Sequence, residues 1–186
     1  MRINPLINHP LKVTENPMDT LNALLTRRAV REFTSQPVSA EQIDQILCAA
    51  MHAPSACNQQ PWHFIVVDSR EKLDEIADVH PYAQMLRQAP LAIIVCADLT
   101  LETCPGNWAI DCSAAMENLL LAAHALGLGS VWVGIHPVAE RVKEISRVLG
   151  LPSYTMPLCL TPIGHAAGPL PKADRFKPER IHRNHW

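Results

Sequence analysis

The sequence predicts an α+β domain built in layers rather than a doubly wound sheet. Two observations carry that expectation. Two helical patterns precede the first strong strand signal, and the later elements do not alternate strictly as strand, helix, strand, which disfavours a doubly wound parallel sheet. In addition, no Gly-x-Gly-x-x-Gly follows a strand and no P-loop occurs, so a Rossmann or P-loop nucleotide site has no support. The chain has 186 residues, 48% of them apolar. That is enough for one core, and one domain is expected over 18–186, preceded by an N-terminal arm over 1–17.

Each element has its own local reason. The arm holds three prolines, Pro5, Pro10 and Pro17, and no helical period, so it reads as a leader or an extended strand laid on a partner. Asp19 can cap a helix over Thr20–Val30, where Leu21, Leu24 and Leu25 fall at i, i+3 and i+4. Ser39-Ala-Glu-Gln42 is a capping box, opening a helix with Ile43, Ile46, Leu47 and Ala50 on one face. A polar break follows, Pro54 to Pro61, and then a β-rich run, His63–Val67. Asp68-Ser-Arg-Glu71 caps a short helix bearing Leu73, Ile76 and Ala77, and Leu91–Ala97 reads as a buried strand. A long helix is expected from Trp108 to Leu126, stopped by Gly127 or Gly129. Ser130–Gly134 reads as a strand end. Pro137 sits near the first turn of a helix with Val138, Val142, Ile145 and Leu149, ended by Gly150. Met156–Leu160 is the last strand, and a basic, proline-containing tail runs from Gly168 to Trp186.

Composition excludes several partners. The formal net charge of −2 gives no long-range pull toward nucleic acid or an anionic membrane. Aromatic residues are only 5% of the chain, which weakens a single-strand-binding reading built on stacked bases. No apolar run approaches the roughly 20 residues of a spanning helix. Six cysteines are present, Cys48, Cys57, Cys96, Cys104, Cys112 and Cys159, and none forms a Cys-x-x-Cys pair. A chain this long and apolar needs no disulfide framework, so a reducing cytoplasm is expected. The histidines show no metal-ligand spacing of the His-Glu-x-x-His kind.

Four stretches could carry chemistry. Arg27-Arg28-Ala29-Val30-Arg31 would place Arg27 and Arg31 on one face if the helix persists, which suits a phosphate monoester. Equally, arginines at a helix C-terminus complement its dipole. Pro54-Ser55-Ala56-Cys57-Asn58-Gln-Gln-Pro61 offers amides and hydroxyls to a heterocycle's polar edge, or is simply a turn rich in turn formers. Cys57 with His52 or His63 could form a Cys/His pair, but no acyl-transfer site or orienting group accompanies it. Gly127-Leu-Gly-Ser-Val-Trp-Val133-Gly134 allows close backbone approach to a flat ligand, although Gly127 and Gly129 are explained by a helix stop and a tight turn. The tail carries Lys172 and Arg175.

The order of these stretches is more specific than any one of them. Arg-Arg-x-x-Arg-x-Phe, then Pro-Ser-x-x-Asn-x-Gln-Pro-Trp-x-Phe, then Gly-x-Gly-Ser-x-Trp-x-Gly, then a C-terminal Lys/Arg pair resembles the FMN-dependent nitroreductase family, over nearly the whole of 19–186. The resemblance implies a mostly antiparallel sheet flanked by helices and a homodimer with FMN at the subunit interface. It implies that Arg27, Arg28 and Arg31 serve the phosphate and ribityl end, with Ala29 contributing backbone only where a serine is common. Pro54, Ser55, Ala56 and Asn58 would face the flavin from the partner chain, and Val133 and Gly134 would present backbone at its N5 edge. Lys172 and Arg175 would close on the phosphate, at a Lys-x-x-Arg spacing one residue longer than the family's. The implied reaction is ping-pong hydride transfer from NADH or NADPH through FMN to a small electron-poor acceptor, a nitroaromatic or a quinone, with no catalytic side chain required. Relatives with dehalogenase or flavin-destroying chemistry, and a non-catalytic flavin-binding module, are the alternatives.

Overall fold

The structure, a computed structural model, describes residues 18–186; the arm expected over 1–17 lies outside the described residues. Helix α1 (Thr20–Thr26) begins as expected, with the Asp19 carboxylate accepting the Asn22 N–H at 3.2 Å. It ends four residues earlier than the pattern suggests. Arg27 is the C-cap, with an extended ψ of 133°, so Arg27 and Arg31 do not share a helical face. The reason is tertiary: the Val30 N–H donates to the Ser130 carbonyl at 2.9 Å, and Ala29 bridges Ser130 in parallel. Leu21, Leu24 and Leu25 are exposed, and Ala23 is the residue α1 buries.

Helix α2 (Ala40–Met51) carries the reciprocal capping box between Ser39 and Gln42. Strand β1 (Trp62–Val67), helix α3 (Arg70–Val79), strand β2 (Leu91–Asp98) and helix α4 (Trp108–Ala125) follow. Gly127 turns the chain at φ +77°. Strands β3 (Gly129–Ser130) and β4 (Val133–Gly134) are two pieces of one interrupted edge, both paired with β5 (Thr155–Gly164). Between them and β5 lies helix α5 (Ala139–Leu149), which starts two residues after Pro137 and is closed by left-handed Gly150.

All strand pairs in the sheet are antiparallel, in the order β1-β2-β5-β3 with β4 beside β5. Strand β2 shows why the fold needs two layers of helix. Side chains on a strand alternate faces. Leu91, Ile93, Val95 and Ala97 pack with α2 and α4, while Ala92, Ile94 and Cys96 pack with α3 and α5. Both faces are therefore apolar, and the strand reads as a continuous hydrophobic run.

The expectation of six free thiols is corrected at one pair: Cys57 and Cys104 form a disulfide, with Cα atoms 6.4 Å apart. The two cysteines sit in separate loops that meet only in the folded chain, so spacing gave no sign of the pairing. Cys96, Cys112 and Cys159 are fully buried core residues, and Cys48 is half-buried. Burial pushes the Cys96 and Cys112 thiols up to about 12, and that of Cys159 well above its ordinary value. They are inert as nucleophiles.

Candidate functional site

The site is built on the free side of the interrupted edge strand. In an antiparallel ladder, alternate residues exchange hydrogen bonds and the ones between them face away. Ile135 N donates to Leu158 O at 3.0 Å, and Val133 and Gly134 stand opposite Leu160 and Cys159. The bonded positions are therefore 133 and 135, and the N–H and C=O of Gly134 point away from β5. Ser130 faces the same way, and there it accepts from Val30. The arginine segment thus runs beside the edge on which Gly134 opens.

Gly129 makes this approach possible. A Cβ at that position would lie 2.8 Å from Val30 Cβ and Val30 Cγ1 and 2.9 Å from Val30 Cγ2. Any other residue would push the arginine segment off the sheet, so Gly129 does more than end a turn. Gly134 differs: a Cβ there would meet nothing within 4 Å. The protein's own packing does not demand glycine at 134, where a side chain would project into open space.

A cavity of about 410 Å³ occupies this space, lined by Arg31, Tyr82, Met85, Trp132, Val133 and Gly134 together with Pro81, Gln84 and Val131. Arg31 and the Val133–Gly134 backbone, both picked out in the sequence, come together here. The Pro81–Met85 segment was not picked out, because a turn after a short helix carries no chemical signature.

The basic groups divide by role. Arg28 is nearly buried, and its guanidinium donates to the carbonyls of Leu25, Arg27 and Pro171 at 2.9, 2.6 and 2.9 Å. It closes the C-terminus of α1, as the dipole reading expects, and it pins the tail at the residue before Lys172. Arg27 lies 3.4 Å from a Glu117 carboxylate oxygen, yet its Nε is buried without a hydrogen-bond partner among the described residues. It is Nε itself that faces Glu117, held there by charge rather than by a hydrogen bond. His124 accompanies the pair, its Nε2 2.8 Å from Thr26 Oγ1. Burial, then Arg27 and Arg28, lower its affinity for a proton. Lys172 and Arg175 are exposed on the tail.

The Pro54–Pro61 loop does not line the cavity of its own chain. It is nonetheless firmly built. Cys57, Asn58 and Gln60 adopt left-handed φ values of 50°, 52° and 46°, an uncommon conformation for residues with a Cβ. Buried Asp111 holds the loop, accepting the Ala56 N–H at 2.9 Å and the Gln59 side-chain amide at 2.6 Å. The Gln59 oxygen in turn accepts the Thr103 and Cys104 N–H groups, both at 2.9 Å. With the disulfide, this fixes the loop to the segment before α4. The bond also rules out Cys57 as a nucleophile while it is intact. His52 Nδ1 is 2.7 Å from the Cys48 carbonyl, at the end of its own helix. Among the described residues, no group of His, Cys, Asp and Glu has the makings of a metal site, and no helix is long and apolar enough to cross a membrane.

A central antiparallel sheet between helices, with Arg31 and a backbone edge at one cavity, defines an α+β protein with a cavity beside a broken edge strand. The nitroreductase family matches residues 24–165, and the chain belongs to that family. It is 49% identical over 169 residues to a protein of Methanothermobacter thermautotrophicus provisionally named an NADH dehydrogenase/NAD(P)H nitroreductase, covering 91% of this chain and 88% of that one. A similarly named protein of Parabacteroides distasonis has a crystal structure that superposes with a TM-score of 0.86 at 39% identity, covering 90% of this chain and 98% of that one. The crystal structure of a provisionally named nitroreductase from Desulfovibrio desulfuricans, in complex with FMN, gives a TM-score of 0.78 at 31% identity, covering 93% of this chain and 99% of that one.

Proposed function

We propose that the protein is an NAD(P)H-dependent FMN oxidoreductase that reduces a small electron-poor acceptor, of the nitroaromatic or quinone type, by a ping-pong mechanism. The observation that carries this reading is the convergence of Arg31 and the Val133–Gly134 backbone on one cavity, with open space in front of Gly134. The donors present fit FMN. Arg27, whose buried Nε is held near Glu117 without a hydrogen bond, and Arg31, Lys172 and Arg175 supply positive charge for the phosphate. Arg28 anchors the tail beside them through Pro171. Ala29 adds backbone, and Val133 and Gly134 offer a peptide edge to the isoalloxazine. When bound, FMN supplies the hydride chemistry, accepting from the nicotinamide and giving to the acceptor at the same face. The chain's own work is to grip the anionic end, present a rigid backbone donor to the ring and exclude water.

We infer a homodimer in which Pro54, Ser55, Ala56 and Asn58 of one subunit complete the site of the other. Two features support it. That loop is rigidly built yet does not line its own chain's cavity, and Leu21, Leu25, Ile110, Phe176 and Trp186 are exposed at 66%, 72%, 67%, 71% and 97%. Apolar side chains this exposed are available to a partner surface. A cytoplasmic setting is supported by four unpaired thiols, and would leave the Cys57–Cys104 bond open to reduction.

The test is direct. The purified protein is expected to take up one FMN per chain and to lose its flavin absorbance when mixed anaerobically with NADH or NADPH. Failure to bind added FMN overturns the reading. A bound flavin that neither donor bleaches overturns the activity and leaves a binding module.

A further inference from the structure

We propose that His80, together with Arg141, is a positioning residue that fixes the 134–135 peptide through the Gly134 carbonyl, and so steadies the backbone at the residue whose own N–H faces the cavity. The inference rests on the flavin reading above and deepens it, because neither residue lines the cavity. His80 is fully buried at the end of α3. Its Nε2 is 3.0 Å from the Gly134 carbonyl, and its Nδ1 accepts the Tyr82 N–H at 3.3 Å. A carbonyl only accepts and a backbone N–H only donates, so the ring is neutral and carries its proton on Nε2. Arg141 Nη1 donates to the same Gly134 oxygen at 3.2 Å, and its guanidinium lies 5.1 Å from the centre of the Tyr82 ring.

The Gly134 carbonyl therefore receives two donors from two different helical elements. On the far side of that peptide, the Ile135 N–H is held by Leu158 O. The plane of the 134–135 peptide is fixed at both ends. This matters because glycine has the freest backbone of any residue, and a Cβ at Gly134 would meet nothing within 4 Å that could restrain it. Without the clamp, ψ of Gly134 would be loosely held, at the position where the N–H of the same residue faces the cavity. Donors aimed before the ligand arrives avoid a reorganisation cost at the moment of reaction. Tyr82 joins the two parts: its backbone fixes the tautomer of His80, its ring supports Arg141, and its side chain lines the cavity.

The groups around His80 bear this out. Burial, and then the nearby Arg141 cation, oppose protonation of the ring, while the bond to Gly134 favours it; the balance lies below the ordinary histidine value. A protonated ring would turn a second N–H against the Tyr82 donor.

The test compares His80→Ala, His80→Gln and Arg141→Met with the parent chain. Two readouts are used: amide hydrogen exchange at Gly134 in FMN-free protein, and the flavin midpoint potential with the rate of flavin reduction by NADH in FMN-loaded protein. His80→Ala is expected to speed exchange at Gly134, shift the midpoint potential and slow reduction about ten- to a hundred-fold, as misplacement of a contact near the reacting atoms does. His80→Gln, whose amide nitrogen can still reach the carbonyl, is expected to restore most of each change. Arg141→Met is expected to move all three readouts in the same direction by less, and it guards against the case in which His80→Ala does not fold. If exchange and potential are unchanged in His80→Ala, or in Arg141→Met when His80→Ala does not fold, the positioning role is overturned. If the parent chain binds no FMN, the flavin reading fails, while exchange at Gly134 still decides the clamp.

Discussion

Arg27 is the residue on which cofactor retention is expected to turn. Its Nε is buried 3.4 Å from a Glu117 carboxylate oxygen without a hydrogen bond to it, so an incoming phosphate is expected to compete with that carboxylate for the guanidinium. Arg27→Ala is therefore expected to weaken FMN binding by about 1.5–3 kcal/mol, as a lost charge-assisted bond does, read as a rise in the flavin dissociation constant. An unchanged constant would remove Arg27 from the site. Two histidines make stability depend on pH. The proton affinities of His80 and His124 are both lowered, chiefly by burial, so the unfolded chain takes up protons first as pH falls. The neutral-ring stabilisation is whole above the ordinary histidine value and is lost as pH drops through the lowered values. Denaturant titrations are expected to show a declining unfolding free energy below about pH 6.5, with the decline reduced in His80→Gln. The arginine motif was legible in the sequence by residue type. Its division of labour was not, because only the folded chain sets the Arg28 guanidinium against three carbonyls.

At the scale of elements, the loop after α2 is cross-linked to the segment before α4. The disulfide spans a sequence separation of 47, and a closed loop of that size constrains the unfolded chain by about 4 kcal/mol in the chain-entropy account. Cys104→Ser, or treatment with a dithiol, is expected to cost about 2–4 kcal/mol of unfolding free energy. Thiol titration of the denatured, unreduced chain is expected to find four groups, matching the free cysteines. Six would show that the pair is open. Helix starts were the most legible elements: Asp19, Ser39 and Ser69 each accept a backbone N–H of their own first turn, and such caps are local chemistry. The end of α1 was not legible. Leu24 and Leu25 continue a helical period, but pairing of Val30 with Ser130 outweighs it, and that partner lies a hundred residues away in the chain. Asp111 and Gln59 escaped notice for a related reason, since one is inside a helix and the other inside a turn until folding joins them.

For the whole molecule, the exposed leucines of α1 and the apolar side chains of the tail are expected to be covered by a second copy. Leu21→Asp with Leu25→Asp should convert a dimer to a monomer in sedimentation and abolish FMN retention, because the Ser55 loop would no longer reach its neighbour's cavity. A dimer that survives both changes would place the interface elsewhere. The order of helices and strands was readable because β2 is an unbroken apolar run and α2, α3 and α5 each keep one apolar face. The pairing of strands was not readable, since an antiparallel sheet leaves no mark of which distant segment lies beside which. The sequence motifs nevertheless pointed to the correct family, because they mark where the backbone must come close.

The bridge between Ala29 and Ser130 has one more consequence. An interrupted edge strand is an open template on which a stray strand from another molecule can add. Here a segment rich in guanidinium groups already covers part of that border, and its like charges repel a second such segment. The stretch that we assign to holding a phosphate thus also acts as a guard against aggregation, and a chain deprived of it is expected to lose solubility along with its colour.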